Sequence, residues 1–301
     1  MNIPITQSEA WAKLQDDLGA KSHLKTGKGY HFLAIEKHTP TGSYLYCPYG
    51  PIAGDKDSFK QVLKDLESLG RELNAIFIRV EPPEADQAKY LPKSAFKSTD
   101  LNPKETWLLD LTGTDDDLKQ KLPSRLLRYC KSAKSKGITI EKSHNPSDIH
   151  YLLDLQRALA KEKGISTFSE HYLQTELKQP FATLYLVKHE NKVIAAGLVF
   201  DDETTRYNLQ GAQSDEGRKL HATGILTIEL IKDAKASGKK IFDFWGIAPE
   251  GAPANHPWAG FTNFKKTFAG YQYDHAGTYD IVLKPAKYKL YQALRKIRRL
   301  A

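Results

Sequence analysis

"GILTIELIKDAKASGKKIFDFWG", residues 224–246, predicts an amphipathic helix that leads directly into a buried strand. Apolar residues recur at helical spacing as far as Ala236, and Gly238 stands where the helix would end. The run "KIFDFWG" then has the length and apolar content of a buried strand, with a charged residue, Asp243, near its end. A helix followed by such a strand is typical of a mixed α/β fold.

The same order occurs in the first half of the chain. The segment "SFKQVLKDLESLGREL" (58–73) places its apolar residues on one helical face, with Ser58 as the expected cap. Two strand-like runs precede it, and the strand "AIFIRVEPP" (75–83), stopped by Pro82, follows it. Each half thus has strands, a helix ending near glycine, and a strand with a charged residue at its end. This similarity suggests an internal duplication.

Between these two regions, the sequence predicts a basic helix and three strands. The helix, over 119–136, is terminated by Gly137 and carries cations at three-residue steps. We call these four residues the basic stripe: Arg125, Arg128, Lys131 and Lys134. They suit either a nucleic-acid backbone or an ordinary solvated helix face. The segment 182–212 predicts three antiparallel strands, the first two joined by a tight Glu-Asn-Lys turn.

Composition limits the class of protein. Lysine and arginine number 44 against 36 acidic residues, a net charge of +8, which is a weak indication of an anionic partner. No apolar run approaches 20 residues and the start is polar, so we expect a soluble cytoplasmic protein. Cys47 and Cys130 form no CxxC pair, and ten scattered histidines show no metal spacing. The sequence therefore predicts neither a metal site nor a disulfide.

The common cofactor and nucleophile motifs are also missing. The chain has no GxxxxGK[ST], no GxGxxG after a strand, no GxSxG and no HExxH. The RxxGxG/A loop with which acetyltransferases hold acetyl-CoA is absent, since "GRKLHATG" (217–224) lacks its paired glycines. We therefore expect no bound cofactor.

Two basic segments near the carboxy terminus leave their function open. The segment 284–301 puts Tyr288, Tyr291, Leu294 and Ile297 on one helical face opposite many basic residues. It would either dock on the protein body or contact anionic lipid or RNA. In "GFTNFKKTFAGY" (260–271), aromatic residues at helical spacing flank two lysines, and the spacing alone favours a packed surface helix.

Several short motifs, in a fixed order, resemble those of a known family. After Trp11-Ala12-Lys13 they are "YCPYGPI" (46–52), "IRVEP" (78–82), "LLDLT" (108–112), "ITIE" (138–141), "VIAAGLVF" (193–200), "YNLQGA" (207–212), "FDFWGI" (242–247) and "NFKKTFAGY" (263–271). Each is weak alone, but together they are similar to the FemABX aminoacyltransferases over nearly the whole chain. These enzymes move an amino acid from aminoacyl-tRNA to the stem peptide of a peptidoglycan precursor.

The resemblance implies two acetyltransferase-like (GNAT-like) domains in tandem within an α/β chain of mixed sheets. The first, which binds the precursor, would comprise residues 1–108 with 278–301, and the second, on the aminoacyl-tRNA side, residues 109–277. No long charged heptad segment is present, so the chain resembles the FemX-like members without a coiled-coil arm. The precursor would be lipid II or UDP-MurNAc-pentapeptide, and the transferred residue Ala, Ser or Gly. The enzyme would act as a monomer.

The resemblance also assigns site residues. Lys265 would face the tRNA 3′ end and the developing oxyanion, and Phe264 would pack against the terminal adenosine. Lys266 and the basic stripe would contact tRNA phosphates, whereas Phe261 and Phe268 are expected in the core. The residues expected at the precursor site are Lys13, Glu81, Tyr172 and Tyr207.

Two departures from the family pattern bear on the precursor. Phe168 stands where the armless prototype has an arginine on the diphosphate, and Thr278 falls at or near a family glutamate. Losing that arginine favours a lipid-linked precursor at the inner face of the plasma membrane, which the basic tail would suit. Two alternatives stay open: an acyl-CoA-dependent N-acyltransferase on the same fold, and a non-catalytic protein that binds RNA or membranes.

Overall fold

The computed structural model describes residues 3–163 and 167–300, and they form two compact units. The first unit contains the chain up to Lys104 and again from Asp274 onward, and the second is Glu105–Tyr273. The predicted boundary after residue 108 falls inside a strand, Glu105–Asp110, that belongs to the second sheet. The observed boundaries therefore lie four residues before the predicted ones at both positions.

The described residues form strands and helices in the following chain order. The strands are β1 (Ser22–Gly27), β2 (Tyr30–Thr39), β3 (Gly42–Cys47), β4 (Ile52–Ala53), β5 (Phe77–Val80), β6 (Ala95–Lys97), β7 (Glu105–Asp110), β8 (Ile138–Ser143), β9 (Ala182–His189), β10 (Lys192–Asp201), β11 (Thr205–Gln213), β12 (Ile241–Gly246), β13 (Tyr271–Asp274) and β14 (Tyr279–Val282). The helices are α1 (Glu9–Asp17), α2 (Lys56–Glu72), α3 (Asp115–Lys121), α4 (Ser124–Ala133), α5 (Ile149–Lys163), α6 (Glu170–Leu177), α7 (Asp215–Lys219), α8 (Ala222–Ala236), α9 (Ala259–Lys266) and α10 (Pro285–Leu300).

The first unit is built on a seven-stranded mixed sheet with the order β1-β2-β3-β5-β14-β6, in which β4 also pairs with β2. Its one parallel pair within the described residues is β3 with β5, and α2 is the crossover between them. Helix α2 buries one apolar face in the core of this unit. Its N-cap is Asp55, whose carboxylate accepts the N–H groups of Asp57 and Ser58. Ser58, the predicted cap, instead lies one turn in and completes a capping box.

The second unit repeats this plan with the order β13-β7-β12-β11-β10-β9-β8. The three predicted strands are β9, β10 and β11, and the tight turn places Glu190 and Asn191 in the left-handed region. Strands β11 and β12 are parallel and are joined through α8. Their pairing ends at Tyr207 and Asp243; beyond it, β11 stays paired with β10 and β12 with β7. The two parallel strands therefore part at Asp243.

The prediction of one continuous basic helix over 119–136 is wrong. Pro123 divides the segment into α3 and α4, because proline cannot donate the backbone hydrogen bond that a helix interior requires. Helix α4 passes into a short 3₁₀ turn that contains Lys134. The expected terminator, Gly137, follows with a φ of 70°.

Two further features concern the helices of the described residues. The longest, α2, has 17 residues, so this part of the chain contains no coiled-coil arm. Within 3–163 and 167–300, none of the helices combines the length and the apolar character that crossing a bilayer requires.

Candidate active site

Helix α9 places Lys265 at the end of β12 in the second unit. The side chain is partly buried, and its Nζ donates a hydrogen bond to the carbonyl oxygen of Gly246 at 2.6 Å. The next residue, Lys266, is exposed, and its Nζ lies 5.6 Å from the centroid of the Trp107 ring. The two adjacent lysines therefore have different environments, and only Lys265 has lost much of its contact with water.

The orientation of α9 is fixed by one polar and one apolar contact. The hydroxyl of Thr262 donates to the carbonyl of Trp258 at 2.9 Å and accepts the N–H of Ala248 at 2.8 Å. Phe268 is fully buried, and Phe264 packs edge-on against it with the ring centroids 5.5 Å apart. The expectation that Phe261 lies in the core is wrong: 52% of it is exposed, because Thr262 occupies the inward position.

The turn that receives Lys265 is shaped by Asp243. This residue is buried, and its Oδ1 accepts the N–H of Trp245 at 2.7 Å. Trp245 has a φ of 67°, a left-handed conformation that costs a residue with a side chain roughly 1–2 kcal/mol. The pairing of β12 with β7 shifts between Asp243 and Gly246, which is the mark of a bulge. The carboxylate thus stabilises the strained turn whose Gly246 carbonyl binds the lysine.

The charges of this site are perturbed by burial. Burial lowers the pKa of Lys265 to about 8, while the negative charge of Asp243 opposes that shift. Burial likewise raises the pKa of Asp243 to about 7, against the Trp245 N–H and the charge of Lys265. A partly desolvated ammonium interacts more strongly with a developing negative charge than one in water. Lys265 is therefore suited to stabilise an oxyanion.

Tyr207 lies beside the same turn. It stands on β11 directly across from Asp243, and its ring meets the Trp245 ring edge-on at 6.2 Å. Its hydroxyl donates to Oδ2 of Asp202 at 2.6 Å. The structure therefore brings Tyr207 into the surroundings of Lys265, and its hydroxyl is already engaged by a carboxylate.

Exposed aromatic side chains border Lys265 along the sequence of α9. Trp258 and Phe261 precede it by seven and four residues, so the three lie along one side of the helix. Both aromatic residues are substantially exposed. Aromatic rings beside cations are typical of surfaces on which unpaired nucleic-acid bases stack. We call Trp258 and Phe261 the aromatic pair.

Tyr172 belongs to a separate polar network on α6. Its ring stacks on the exposed ring of Phe168, with centroids 5.1 Å apart. Burial and the neighbouring Glu176 raise the pKa of Tyr172 above its usual range. Burial also raises the pKa of Glu176 to about 8, and its Oε2 accepts a hydrogen bond from Gln210 at 3.3 Å. Phe168 therefore stacks on Tyr172 at the position where the resemblance implies an arginine in the family prototype.

The basic stripe is exposed along α4 and the following turn. Arg125 donates from Nε to the hydroxyl of Tyr129 at 2.6 Å. The Tyr129 ring in turn stacks on His221, just before α8, with centroids 4.0 Å apart. Within the described residues, Arg125 is thus the one cation of the basic stripe that contacts a neighbouring aromatic ring.

In the first unit, Glu81 directly follows β5 and is buried. Its carboxylate accepts six hydrogen bonds, all from this unit. They come from Tyr46, Tyr49, Leu101, Asn102 and Thr278. A substrate group that binds Glu81 must therefore displace one of these donors. Thr278, the other departure from the family pattern, touches Glu81 directly at 2.8 Å.

Lys13 lies on the exposed side of α1. Its Nζ pairs with Asp17 at 3.2 Å, one helical turn away, and 70% of its side chain is exposed. Such a surface pair contributes little to stability. Lys13 is thus free to exchange this partner for a phosphate.

Sequence reasoning gave no role to two buried carboxylates of the second unit, Asp243 and Glu176. A signal existed for Asp243, since it interrupts the apolar run of a buried strand. Glu176 gave none, because a glutamate on an amphipathic helix is ordinarily solvated. Among the described residues, no group of three or more His, Cys, Asp or Glu side chains is arranged to hold a metal ion.

Comparison with known proteins supports the expected family. Residues 174–296, which include Lys265, match the model of the FemAB family. A search of curated proteins gives no significant match.

Solved structures resemble the chain over almost its whole length. That of FemX has a TM-score of 0.80 at 16% identity and covers 95% of this chain and 94% of its own. The C-terminal domain of a putative lysylphosphatidylglycerol synthetase from Agrobacterium fabrum has a TM-score of 0.61 at 17% identity, covering 97% and 93%. A tandem GNAT protein from the clavulanic acid biosynthesis pathway has a TM-score of 0.52 at 12% identity, covering 86% and 82%. These likenesses confirm the predicted tandem acetyltransferase-like fold.

Proposed function

We propose that this chain, whose residues 174–296 match the FemAB family model and whose fold resembles that of FemX, transfers an amino acid from aminoacyl-tRNA to the stem peptide of a peptidoglycan precursor. The product is a branch from which the cross-bridge is built. One observation carries the proposal: the partly buried ammonium of Lys265 lies within the matched residues and is held at the end of β12, just beyond the point where β11 and β12 part. Its placement suits a reaction that develops negative charge on oxygen.

The reaction can be written with Lys265 as the electrostatic catalyst. The acceptor amine attacks the ester carbonyl of the aminoacyl group, and a C–N bond forms as the carbonyl oxygen becomes an oxyanion. The bond to the ribose oxygen then breaks, and that oxygen receives the proton that the amine loses. The Lys265 ammonium stabilises the negative oxygens. Removing one such donor from other enzymes raises the activation free energy by about 3–4 kcal/mol. The proton passes within the substrates.

The tRNA would bind along the second unit. The basic stripe and Lys266 carry exposed cations suited to phosphates, and this contact is largely independent of sequence. Phe264 and the aromatic pair offer rings for the unpaired bases of the 3′ end. We propose that this surface leads the esterified adenosine to Lys265.

The precursor would be held by Lys13, Glu81, Tyr172 and Tyr207. In this assignment, Lys13 contacts a phosphate and the tyrosines contact the sugar or peptide. The stacked Phe168 supplies no cation for a diphosphate at this position. The choice of a lipid-linked precursor therefore rests on helix α10.

Helix α10 supports a membrane location. Tyr288 and Tyr291 pack inward against Phe77, with ring centroids 5.2 and 4.9 Å from it. A second apolar row, at helical spacing, is exposed instead: Leu290, Leu294 and Ile297. Exposed lysines at 287, 289 and 296 accompany it. Apolar side chains flanked by lysines suit the surface of an anionic bilayer at the cytoplasmic face, so we propose peripheral contact there.

An acyl-CoA donor is disfavoured by the close packing of two glycines, one in α7 and one in the first turn of α8. A Cβ on Gly217 would lie 2.3 Å from the carbonyl oxygen of Ile194, and one on Gly224 would lie 2.6 Å from Leu126. Both glycines are therefore required by close packing. Neither belongs to a paired-glycine loop that could hold a pyrophosphate.

The test pairs each donor with each acceptor. Alanyl-, seryl- and glycyl-tRNA and acetyl-CoA are incubated with lipid II, UDP-MurNAc-pentapeptide or phosphatidylglycerol vesicles, and labelled product is measured. The phospholipid is included because of the fold shared with the lysylphosphatidylglycerol synthetase. We expect tRNA-dependent labelling of lipid II by a monomer, and none from acetyl-CoA. Labelling from acetyl-CoA alone, or of phosphatidylglycerol alone, would overturn the proposal.

A further inference from the structure

Asp243 is a buried acidic residue on the turn that binds Lys265, and the proposed transfer gives it no role. Only 6% of the residue is exposed, so it is poorly placed to bind a large substrate directly. Its conformation nevertheless determines what surrounds the lysine. Oδ1 accepts the N–H of Trp245, and one residue later the Gly246 carbonyl accepts Nζ of Lys265.

The turn at residues 243–246 is held by this carboxylate against its own backbone preference. Trp245 is left-handed, and the ladder to β7 is interrupted across it. An acceptor on the side chain two residues earlier is what stabilises such a turn. Without it, the Trp245 N–H loses its partner and the Gly246 carbonyl is no longer fixed beneath the lysine.

Other titratable groups also face Asp243 and Lys265. Asp202, in the turn between β10 and β11, adds negative charge near Asp243, and Tyr207 on β11 lies across from it. Tyr271 on β13 feels the charge of Asp243 as well. Of these groups, Asp243 is the carboxylate whose charge acts on Lys265.

We propose that Asp243 is a positioning residue for Lys265: its carboxylate fixes the turn whose carbonyl binds the ammonium. A negative charge on the same turn also favours the protonated form of the amine. This inference deepens the proposed function and rests on it only for the expected effect on transfer. A functional lysine in a partly dry site would otherwise lose its proton close to neutral pH.

The test is a titration of the Lys265 amine that needs neither tRNA nor precursor. The full-length protein is pulse-labelled with an amine-reactive acylating reagent at pH 6 to 11, and mass spectrometry follows the peptide that carries Lys265. In Asp243→Asn, the amide oxygen can still accept the Trp245 N–H, but the charge is gone. We expect the midpoint of Lys265 to fall by about one pH unit, the size typical for losing a nearby opposite charge.

Asp110→Asn is the matched control. Asp110 also ends a strand, accepts an N–H two residues on, from Thr112 at 3.0 Å, and lies 3.3 Å from a lysine, Lys121. It should leave the Lys265 midpoint unchanged. Should Asp243→Asn fail to fold, Asp243→Ser is titrated instead, since a hydroxyl can accept the same N–H.

Transfer provides the second readout. In Asp243→Asn, the fall of kcat on the alkaline side should move to lower pH by the same amount as the amine midpoint, with little change in KM for tRNA. An unchanged Lys265 midpoint in a folded Asp243 variant overturns the inference. If the wild type shows the expected amine titration but transfers nothing, the proposed function fails while the positioning of Lys265 stands.

Discussion

Replacing Lys265 by methionine should make the protein more stable while removing its function. Methionine has a similar length and needs no water, so it can fill the space of the lysine stem. The substitution removes the free-energy cost of burying the charged Lys265 ammonium. A fall of the lysine pKa from 10.5 to about 8 corresponds to about 3 kcal/mol at neutral pH.

Part of this gain is offset by the lost hydrogen bond. The Gly246 carbonyl, which accepts Nζ at 2.6 Å, would be left without that donor, at a cost of about 1 kcal/mol. The variant should therefore be more stable by about 2 kcal/mol at pH 7. For a domain of this size, that corresponds to a rise in melting temperature of about 4–8 °C.

The difference should depend on pH with a definite sign. Above pH 8 the native lysine loses its proton, whereas in the unfolded chain it keeps the proton up to about pH 10.5. The unfolded wild type then binds more protons, so wild-type stability rises with pH over this window. The advantage of Lys265→Met should shrink between pH 8 and 10.5 and end slightly negative.

Urea unfolding at pH 7, 9 and 10.5 measures these differences. Lys266→Met is the control: Lys266 is exposed above Trp107, and its removal should change stability by less than about 0.5 kcal/mol at any pH. A Lys265→Met protein that is less stable than wild type at pH 7, or whose difference is the same at pH 7 and 10.5, would refute the reasoning.

Three further outcomes are expected. Glu176→Gln should become more stable relative to wild type as the pH rises from 4.5 to 8, and the difference should then level off. Burial raises the pKa of Glu176 to about 8, so the wild type loses folding stability as the pH rises through this window. Urea unfolding at several pH values measures the difference, and a difference that does not vary with pH contradicts the prediction. Asp280→Ala should lower the free energy of unfolding by about 3–5 kcal/mol, as measured by urea unfolding. In the wild type, the Asp280 carboxylate accepts hydrogen bonds from the buried Arg79 guanidinium at 2.7 and 2.8 Å, and the variant leaves that cation without its counterion. A loss below about 1 kcal/mol contradicts the prediction. Changing all four residues of the basic stripe to glutamine should weaken tRNA binding at low salt and reduce the slope of log Kd against log salt concentration by up to about 3. Filter binding at several salt concentrations measures this slope. An unchanged slope would mean that the stripe does not contact the tRNA.

The sequence was sufficient for the order of the main elements. Hydrophobic periodicity located α2 and α8 and the strands that follow them, and the Glu-Asn-Lys turn was predicted from its composition. The short strands β6, β13 and β14 were not predicted, because strands of three or four residues show no period and form by pairing with distant partners. The break at Pro123 could have been predicted, since proline rarely continues a helix.

The sequence predicted only part of the candidate site. Helical spacing distinguished Lys265 from Lys266, and the resemblance singled out the former. The inward position of α9 went to Thr262 instead of Phe261, because the Thr262 hydroxyl accepts the N–H of Ala248, just beyond β12, and such a contact helps to decide the rotation of a helix of eight residues. The importance of Asp243 depends on burial and on a left-handed residue two positions later, and neither can be derived from local sequence.

The central claim is that Lys265 stabilises the transition state of aminoacyl transfer. Single-turnover transfer from alanyl-, seryl- or glycyl-tRNA to lipid II, by wild type and by Lys265→Met, tests it most directly. We expect the variant to bind tRNA within a few-fold of wild type and to react about 10²–10³-fold more slowly, as for the loss of one oxyanion donor. Full transfer by the variant, or no transfer by the wild type with any of the three tRNAs, would contradict the claim.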